Sequence, residues 1–235
     1  MNRPTISVYT ADCTALESET LFRRYYERMP AWRKVKIDRL RFGKDKRLSL
    51  GAGVLLDRAL RDAGITEPGE TVAFGENGKP AFPACPDVRF NLSHAGTKVM
   101  AAVAPFEVGC DVERIGAGEL SVAERFFAPE ETAFIRNLPT KEEQETLFCR
   151  IWTLKESFMK ATGLGFSLPL GDFAVDVTAD PIRIRRFADG HTYRFREWDP
   201  GDGYRYALAS QDEPDGCGCR LTNVNFEEIL TEEKP

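Results

Sequence analysis

The sequence is poor in histidine, and its cysteines are not spaced for metal binding. Two histidines occur among 235 residues, and the six cysteines form neither a C-x-x-C pair nor a zinc-knuckle pattern. Cys217 and Cys219 alone do not make a structural zinc site, which needs four Cys or His ligands. No apolar run approaches the roughly 20 residues that span a bilayer. Residues 1–4 lack the apolar core of a signal peptide, so we predict a cytoplasmic protein with reduced thiols.

The remaining composition is that of an ordinary globular protein. Hydrophobic residues make up 42% and charged residues 29% of the chain, which excludes a disordered or fibrous class. The net charge is −5, yet eight basic and two acidic residues lie between Arg33 and Arg47. A local basic patch on an acidic protein favours a phosphorylated small molecule over nucleic acid. A solvated basic helix is the alternative interpretation.

Hydrophobic periodicity predicts helices followed by strands, and this order occurs twice. The first set of helices is expected at residues 16–29, 31–42 and 45–63, and the first set of strands at 71–74, 88–92, 98–103 and 108–112. The second helices are expected at 122–127, 129–137 and 141–163 (one helix or two abutting ones), and the second strands at 172–177, 182–187, 192–198, 204–209 and 220–226. We predict an α+β fold of two similar, pseudo-twofold-related halves, residues 1–107 and 108–235.

Two acids stand two residues apart in a predicted strand, Asp111 and Glu113. Side chains alternate along a strand, so both carboxylates project from one face. Carboxylates at this spacing suit a hard cation such as Mg²⁺. A solvated strand face is the alternative.

A second polar pair lies on the predicted helix at 141–163. Glu156 and Lys160 are four residues apart and therefore share a helix face. An ordinary surface ion pair is the alternative interpretation.

Ser93 and His94 end the strand predicted at 88–92. Consecutive strand residues face opposite ways, and no G-x-S-x-G elbow surrounds Ser93, so we do not expect a hydrolase. His94 is interpreted either as a capping or core residue, or as a loop contact to phosphate or ribose. A turn at 76–82 presents Lys79 at a fixed place.

Four stretches, taken together and in order, resemble the surfactin-type (Sfp-type) 4'-phosphopantetheinyl transferases. They are GKP at 78–80, FNLSH at 90–94, GCDVE at 109–113 and WTLKESFMK at 152–160, with FF at 126–127 and GLGFSLPL at 163–170 in addition.

The resemblance implies an enzyme, a holo-[acyl-carrier-protein] synthase. Such a transferase moves the phosphopantetheine arm of coenzyme A to a serine of an apo acyl or peptidyl carrier protein and releases 3',5'-ADP. The nucleophile then belongs to the partner. Polyketide, fatty-acid and nonribosomal peptide carriers all fit, and no residue selects among them. The expected protein is a monomer with its active site in the cleft between the halves, with neither membrane nor nucleic acid as a partner.

The resemblance also implies residue roles. Asp111, Glu113 and Glu156 would hold Mg²⁺ in the second half, Glu156 would be the general base, and Lys160 would stabilise charge on the pyrophosphate. Coenzyme A contacts are expected from the following side chains: Arg47, Lys79, Ser93, His94, Lys34 and Lys36. The last two match only if the register of the basic stretch shifts, because Trp32 and Val35 occupy the positions where basic residues are usual.

Two rival functions use the same residues. One is a carrier-protein or nucleotide binding module without catalysis, which the intact acids and Lys160 disfavour. The other is a metal-dependent phosphohydrolase that cleaves a pyrophosphate without a carrier protein.

Overall fold

The computed structural model of the chain describes residues 4–65, 71–116 and 120–228. Its helices are α1 (Glu19–Arg28), α2 (Ala31–Arg39), α3 (Gly43–Asp62), α4 (Leu120–Phe126), α5 (Pro129–Arg136) and α6 (Lys141–Thr162). Its strands are β1 (Thr5–Asp12), β2 (Ala73–Phe74), β3 (Pro80–Ala81), β4 (Arg89–Ala95), β5 (Lys98–Ala104), β6 (Val108–Arg114), β7 (Ala174–Asp176), β8 (Arg183–Arg185), β9 (Tyr193–Trp198), β10 (Tyr204–Gln211) and β11 (Gly218–Val224). Among these elements, no helix has the length and apolarity that crossing a membrane requires.

The chain separates into two units. The first comprises Met1–Gly75, Pro80–Pro105 and Gly216–Pro235, and the second comprises Glu76–Lys79 and Phe106–Asp215. In the first unit, α3 packs on a sheet of order β11-β1-β5-β4. Residues 48–56 of α3 are all buried, and Leu48 and Leu55 share a core cluster with Phe90 and Val99 of that sheet. This run has no charged residue, so α1, α2 and the sheet can cover it from different sides.

The second unit is built around α6, a single helix of 22 residues. It begins with a capping box, in which Thr140 Oγ1 accepts from the Glu143 amide at 3.2 Å and the Glu143 carboxylate accepts from the Thr140 amide at 3.1 Å. It ends at Gly163, whose φ of 70° is left-handed. Its buried face packs on a sheet of order β6-β10-β9. These end signals make 141–163 one helix and not two.

The two units share one order of elements. Each has a first strand, then helices, then a long helix, then a hairpin whose second strand pairs antiparallel with the first strand. This gives β1-β5-β4 in the first unit and β6-β10-β9 in the second. The predicted α+β class and the recurrence of element order in two halves are confirmed.

The unit boundaries differ from the predicted division at residue 107. β11, predicted as part of the second half, pairs in parallel with β1 and belongs to the first unit. Residues 76–79 belong to the second unit, because Asn77 Nδ2 donates to Gly163 O and Lys79 Nζ donates to Ala161 O, each at 3.0 Å. Contacts between distant segments decide both points, by backbone pairing for β11 and by side-chain hydrogen bonds for residues 76–79, and neither leaves a local sequence signal.

Candidate functional site

The second unit brings β6 and α6 into close contact at Gly109. A side chain at this position would collide with the carbonyl oxygen of Ser157 and the amide of Ala161, so the helix backbone lies directly on the strand. Asp111 and Glu113 follow Gly109 at alternate positions and therefore share its face. Glycine at one strand position thus allows helix side chains to reach the two acids.

Asp111 and Lys160 form a short polar contact between the two elements. Asp111 is 2% exposed, and its Oδ1 lies 2.6 Å from Lys160 Nζ. Lys160 Nζ also donates to Cys110 O at 3.2 Å. Burial opposes the charge on Lys160, but Asp111, Cys110 and Glu156 together outweigh this effect, so the Lys160 pKa lies above its usual value.

The charge of Asp111 also affects the pKa values of two further carboxylates, Glu113 and Glu156. Burial, and then the negative charge of Asp111, raise the pKa of Glu113 to about 7. The same two causes, in the same order, raise the pKa of Glu156, while Lys160 opposes the shift. On α6, Trp152, Glu156 and Lys160 are half-buried at four-residue intervals and form one stripe. Three acids and one lysine therefore act on one another at the contact of α6 with β6.

The donor set fits a divalent cation in type and charge. Carboxylate oxygens are the ligands that Mg²⁺ prefers, and mutual repulsion among acids is what a bound cation relieves. As placed in residues 4–65, 71–116 and 120–228, no three His, Cys, Asp or Glu side chains already stand as a metal-binding group. The assignment of Asp111, Glu113 and Glu156 as ligands stays a prediction.

Lys79 belongs to the second unit and is engaged there. Its Nζ lies 2.6 Å from Glu107 Oε2 and donates to Ala161 O at the C-terminal end of α6. A cation is favourable at this negative end of the helix dipole. The structure thus gives Lys79 a role in holding the 76–79 turn, and its contact with coenzyme A stays a prediction.

The other expected coenzyme A contacts lie in the first unit. Arg47, in the first turns of α3, is half-buried and forms an ion pair with Glu17 at 3.3 Å. On β4, Ser93 is buried and His94 is exposed. This is the opposite-face arrangement expected of neighbouring strand residues, and it leaves no Ser–His relay.

The basic stretch contains a residue that the sequence prediction did not single out. Lys34 donates to Glu27 O at 2.8 Å, and Lys36 is exposed. Arg33, by contrast, is 2% exposed, its Nε has no hydrogen-bond partner, and no carboxylate of the described residues pairs with it. Burial lowers the pKa of Arg33 to about 10. The missed signal was spacing: Arg33 lies four residues before the buried Ile37 and so shares its face.

Comparisons with known proteins identify the family that the chain resembles. Residues 107–209 match the family model of the 4'-phosphopantetheinyl transferase superfamily. A 4'-phosphopantetheinyl transferase of Bacillus subtilis is 33% identical over 185 residues, which cover 78% of this chain and 81% of the relative. The transferase psf-1 of Bacillus pumilus is 35% identical over 159 residues, 67% of each chain.

Solved structures are more distant. The holo-(acyl-carrier-protein) synthase of Bacillus anthracis in complex with CoA (3',5'-ADP) is 16% identical, covers 46% of this chain and 96% of its own, and gives a TM-score of 0.38. A likeness at this level does not place individual residues.

Proposed function

The chain belongs to the 4'-phosphopantetheinyl transferase family, and we propose that it transfers the phosphopantetheine arm of coenzyme A to a serine of an apo acyl or peptidyl carrier protein. The observation that carries the proposal is the grouping of Asp111, Glu113, Glu156 and Lys160 where α6 crosses β6. Acids with raised pKa values beside a cation are typical of catalytic sites.

The reaction exchanges one phosphorus–oxygen bond for another. The carrier serine oxygen forms a bond to the phosphorus that bears the pantetheine, and the bond from this phosphorus to 3',5'-ADP breaks. Glu156 accepts the serine proton, directly or through water, because its carboxylate is half-buried on the face of α6 that also carries Lys160. Lys160 stabilises the charge that develops on the pyrophosphate.

Asp111, Glu113 and Glu156 would hold Mg²⁺. The ion, when bound, would neutralise the pyrophosphate and polarise its oxygens. Lys160 already contacts one oxygen of Asp111 at 2.6 Å, so this lysine also holds the buried carboxylate in place.

Basic side chains supply the affinity for phosphate. Arg47, His94 and Lys79 are proposed as coenzyme A contacts, with His94 near the 3'-phosphate and Ser93, Lys34 and Lys36 as further candidates. The proposal gains support from Arg33. The Arg33 guanidinium lies 4.4 Å from the centroid of the Trp32 ring, but it is buried without a carboxylate partner, and a phosphate group would compensate its charge.

Three finer points belong to the same proposal. All six cysteines are free thiols, which supports a cytoplasmic enzyme. Both halves lie on one chain, which supports a monomer. Carriers of nonribosomal peptide or polyketide synthesis are the proposed partners, and a ligand position between the halves stays a prediction.

The test follows the formation of 3',5'-ADP by chromatography. Coenzyme A and Mg²⁺ are incubated with the protein, with and without an apo carrier, and a carrier whose acceptor serine is changed to alanine is the control. We expect product only with the intact carrier, and none after addition of a chelator. Product without a carrier would indicate a phosphohydrolase, and coenzyme A binding without product on any carrier would indicate a binding module.

A further inference from the structure

A buried lysine lies immediately before the proposed base. The Lys155 side chain is completely buried, and the Glu131 side chain from α5 is 3% exposed. Lys155 Nζ lies 2.9 Å from Glu131 Oε1 and 2.7 Å from Oε2, and it donates to Phe173 O at 2.7 Å. A lysine has three donors. Its hydrogen-bonding capacity is therefore filled inside the second unit.

The network extends beyond the ion pair. Glu131 Oε1 accepts from the Val175 amide at 2.8 Å, and Oε2 accepts from the Ala128 amide at 3.0 Å. The Lys155 ammonium also stands 4.2 Å from the centroid of the Phe173 ring. One carboxylate and one ammonium thus join α6, the start of α5 and strand β7, with every polar atom satisfied.

Stability alone is a weak reason for such a pair. Removing two charges from water costs several kcal/mol for each ion, and replacing a buried pair by apolar groups is often neutral or stabilising. What a satisfied buried network adds is a unique arrangement of the elements that it joins. The element that Lys155 fixes is the helix that carries Glu156 and Lys160.

Helix geometry connects the network to the proposed site. Successive residues of an α-helix point about 100° apart. Lys155 anchors one side of α6 on Glu131, while Glu156, the next residue, shares the helix face of Lys160, which contacts Asp111 at 2.6 Å. A helix held by Lys155 has little freedom to rotate or slide, and a shift of about 1 Å can cost a hundredfold in rate.

We propose that Lys155 and Glu131 are positioning residues, which hold α6 in the rotation that presents Glu156 and Lys160 to Asp111. The proposal rests on the proposed transferase function. It assigns no contact with substrate to either residue. The competing interpretation is a pair that only contributes to folding.

A matched control exists in the same unit. The Glu213 side chain is 1% exposed and forms a bidentate pair with Arg196 of β9, at 2.6 and 2.7 Å. Glu213 also accepts from Ser210 at 2.5 Å. This pair resembles Lys155–Glu131 in its buried, fully engaged carboxylate, although the Arg196 side chain is 26% exposed, and the pair does not include α6.

The test compares Lys155→Met and Glu131→Gln with Arg196→Met and Glu213→Gln. For each variant we measure kcat, the KM of coenzyme A, the pH profile of kcat and the midpoint of thermal unfolding. The kinetic assays are run at a temperature below the midpoint of the least stable variant. We expect the first pair to lose about 30-fold or more in kcat, with KM changed less than about threefold and a displaced pH profile. The control pair should lose similar thermal stability and keep kcat within about threefold.

Several outcomes overturn the proposal. Equal losses of kcat in both pairs, or losses explained by the unfolded fraction, would make Lys155–Glu131 a folding element only. A wild-type protein that transfers nothing refutes the proposed function and this proposal together, whereas active wild type with active Lys155 variants refutes only the positioning role. If Lys155→Met does not fold, Glu131→Gln and the apolar double variant Lys155→Met/Glu131→Leu replace it. Their losses of kcat and of thermal stability are compared with those of the control pair in the same way.

Discussion

The two units have different side chains where the first strand of each unit meets its long helix. In the first unit, β1 meets α3 through Tyr9 and Ala11 of the apolar core, and the Tyr9 hydroxyl donates to Asp62 of α3 at 2.6 Å. In the second unit, β6 meets α6 through Gly109 and Asp111, and Lys160 lies 2.6 Å from the Asp111 carboxylate. One contact buries apolar surface, and the other buries charge.

The two units share the topology of this contact, but only the second unit places the charges of the proposed site there. An apolar strand–helix contact gains free energy from every buried methylene. A contact with several acids loses some of that gain, as the raised pKa of Glu113 indicates. The second unit tolerates this cost because those acids are the proposed reactive groups, and a fold that occurs twice need carry chemistry only once.

The largest expected effect comes from removing the central acid of the second unit. Asp111→Asn keeps the shape but removes the charge that faces Lys160, so we expect transfer to a carrier to fall about a thousandfold or more. Tyr9→Phe is the matched change in the first unit. It removes one hydrogen bond, worth about 1 kcal/mol of stability, and should leave kcat within about twofold. Similar losses of kcat in both variants would remove the contrast between the two contacts.

A second large effect is expected at the base. Glu156→Gln preserves size and helix propensity but cannot accept the serine proton. We expect kcat to fall about 10²- to 10³-fold, with a smaller change in the KM for coenzyme A. Single-turnover kinetics separates the chemical step from binding. A variant that retains wild-type kcat would assign proton removal to another group.

A moderate effect is expected from the first unit. Arg33→Met removes a buried, poorly compensated charge, so the ligand-free protein should be at least as stable as wild type while its affinity for 3',5'-ADP falls about tenfold. Lys34→Met, at the next residue, is the control and should weaken binding less. Calorimetric titration and thermal unfolding measure both quantities. A clear loss of stability with unchanged affinity would make Arg33 a structural residue.

The smallest expected effect is on the pH dependence of stability. The pKa of Glu113 is raised from 4.5 to about 7 in the folded protein, so its favourable contribution is present below about pH 4.5 and is lost as pH rises through about 7. Glu113→Gln removes this titration. Its free energy of unfolding should fall less than that of wild type between pH 5 and 7.5, by on the order of 1 kcal/mol for a half-buried group.

Urea unfolding without divalent cations measures this difference. Glu142→Gln, at an exposed position on α6, is the control and should parallel wild type. Parallel curves for Glu113→Gln and wild type would mean that burial and the charge of Asp111 do not raise the pKa of Glu113.

Most of the elements could be predicted from the sequence because their signals are local. The predicted helix at 129–137 and strand at 98–103 agree with α5 and β5 within one residue, since Pro129 starts the helix and β-branched or small residues fill the strand. The strand spacing of Asp111 and Glu113, and the helix spacing of Glu156 and Lys160, also predicted which side chains share a face.

What the sequence could not predict depends on contacts between distant segments. Nothing in the local sequence distinguishes Gly109 from other strand glycines, because its role depends on the close approach of α6. Lys155 looks like a surface lysine until Glu131, 24 residues earlier, is found beside it. The pairing of β11 with β1 likewise joins the two ends of the chain. In each case the partner is far away in sequence, and no local propensity specifies it.

The most direct test of the account is the intact mass of an apo carrier protein after incubation with coenzyme A, Mg²⁺ and this protein. We predict a gain of about 340 Da, the mass of one phosphopantetheine arm, which wild type produces and Asp111→Asn does not. A carrier whose mass stays unchanged across peptidyl and acyl types, with wild-type protein that binds coenzyme A, would contradict the claim that the acids of the second unit carry a transfer reaction.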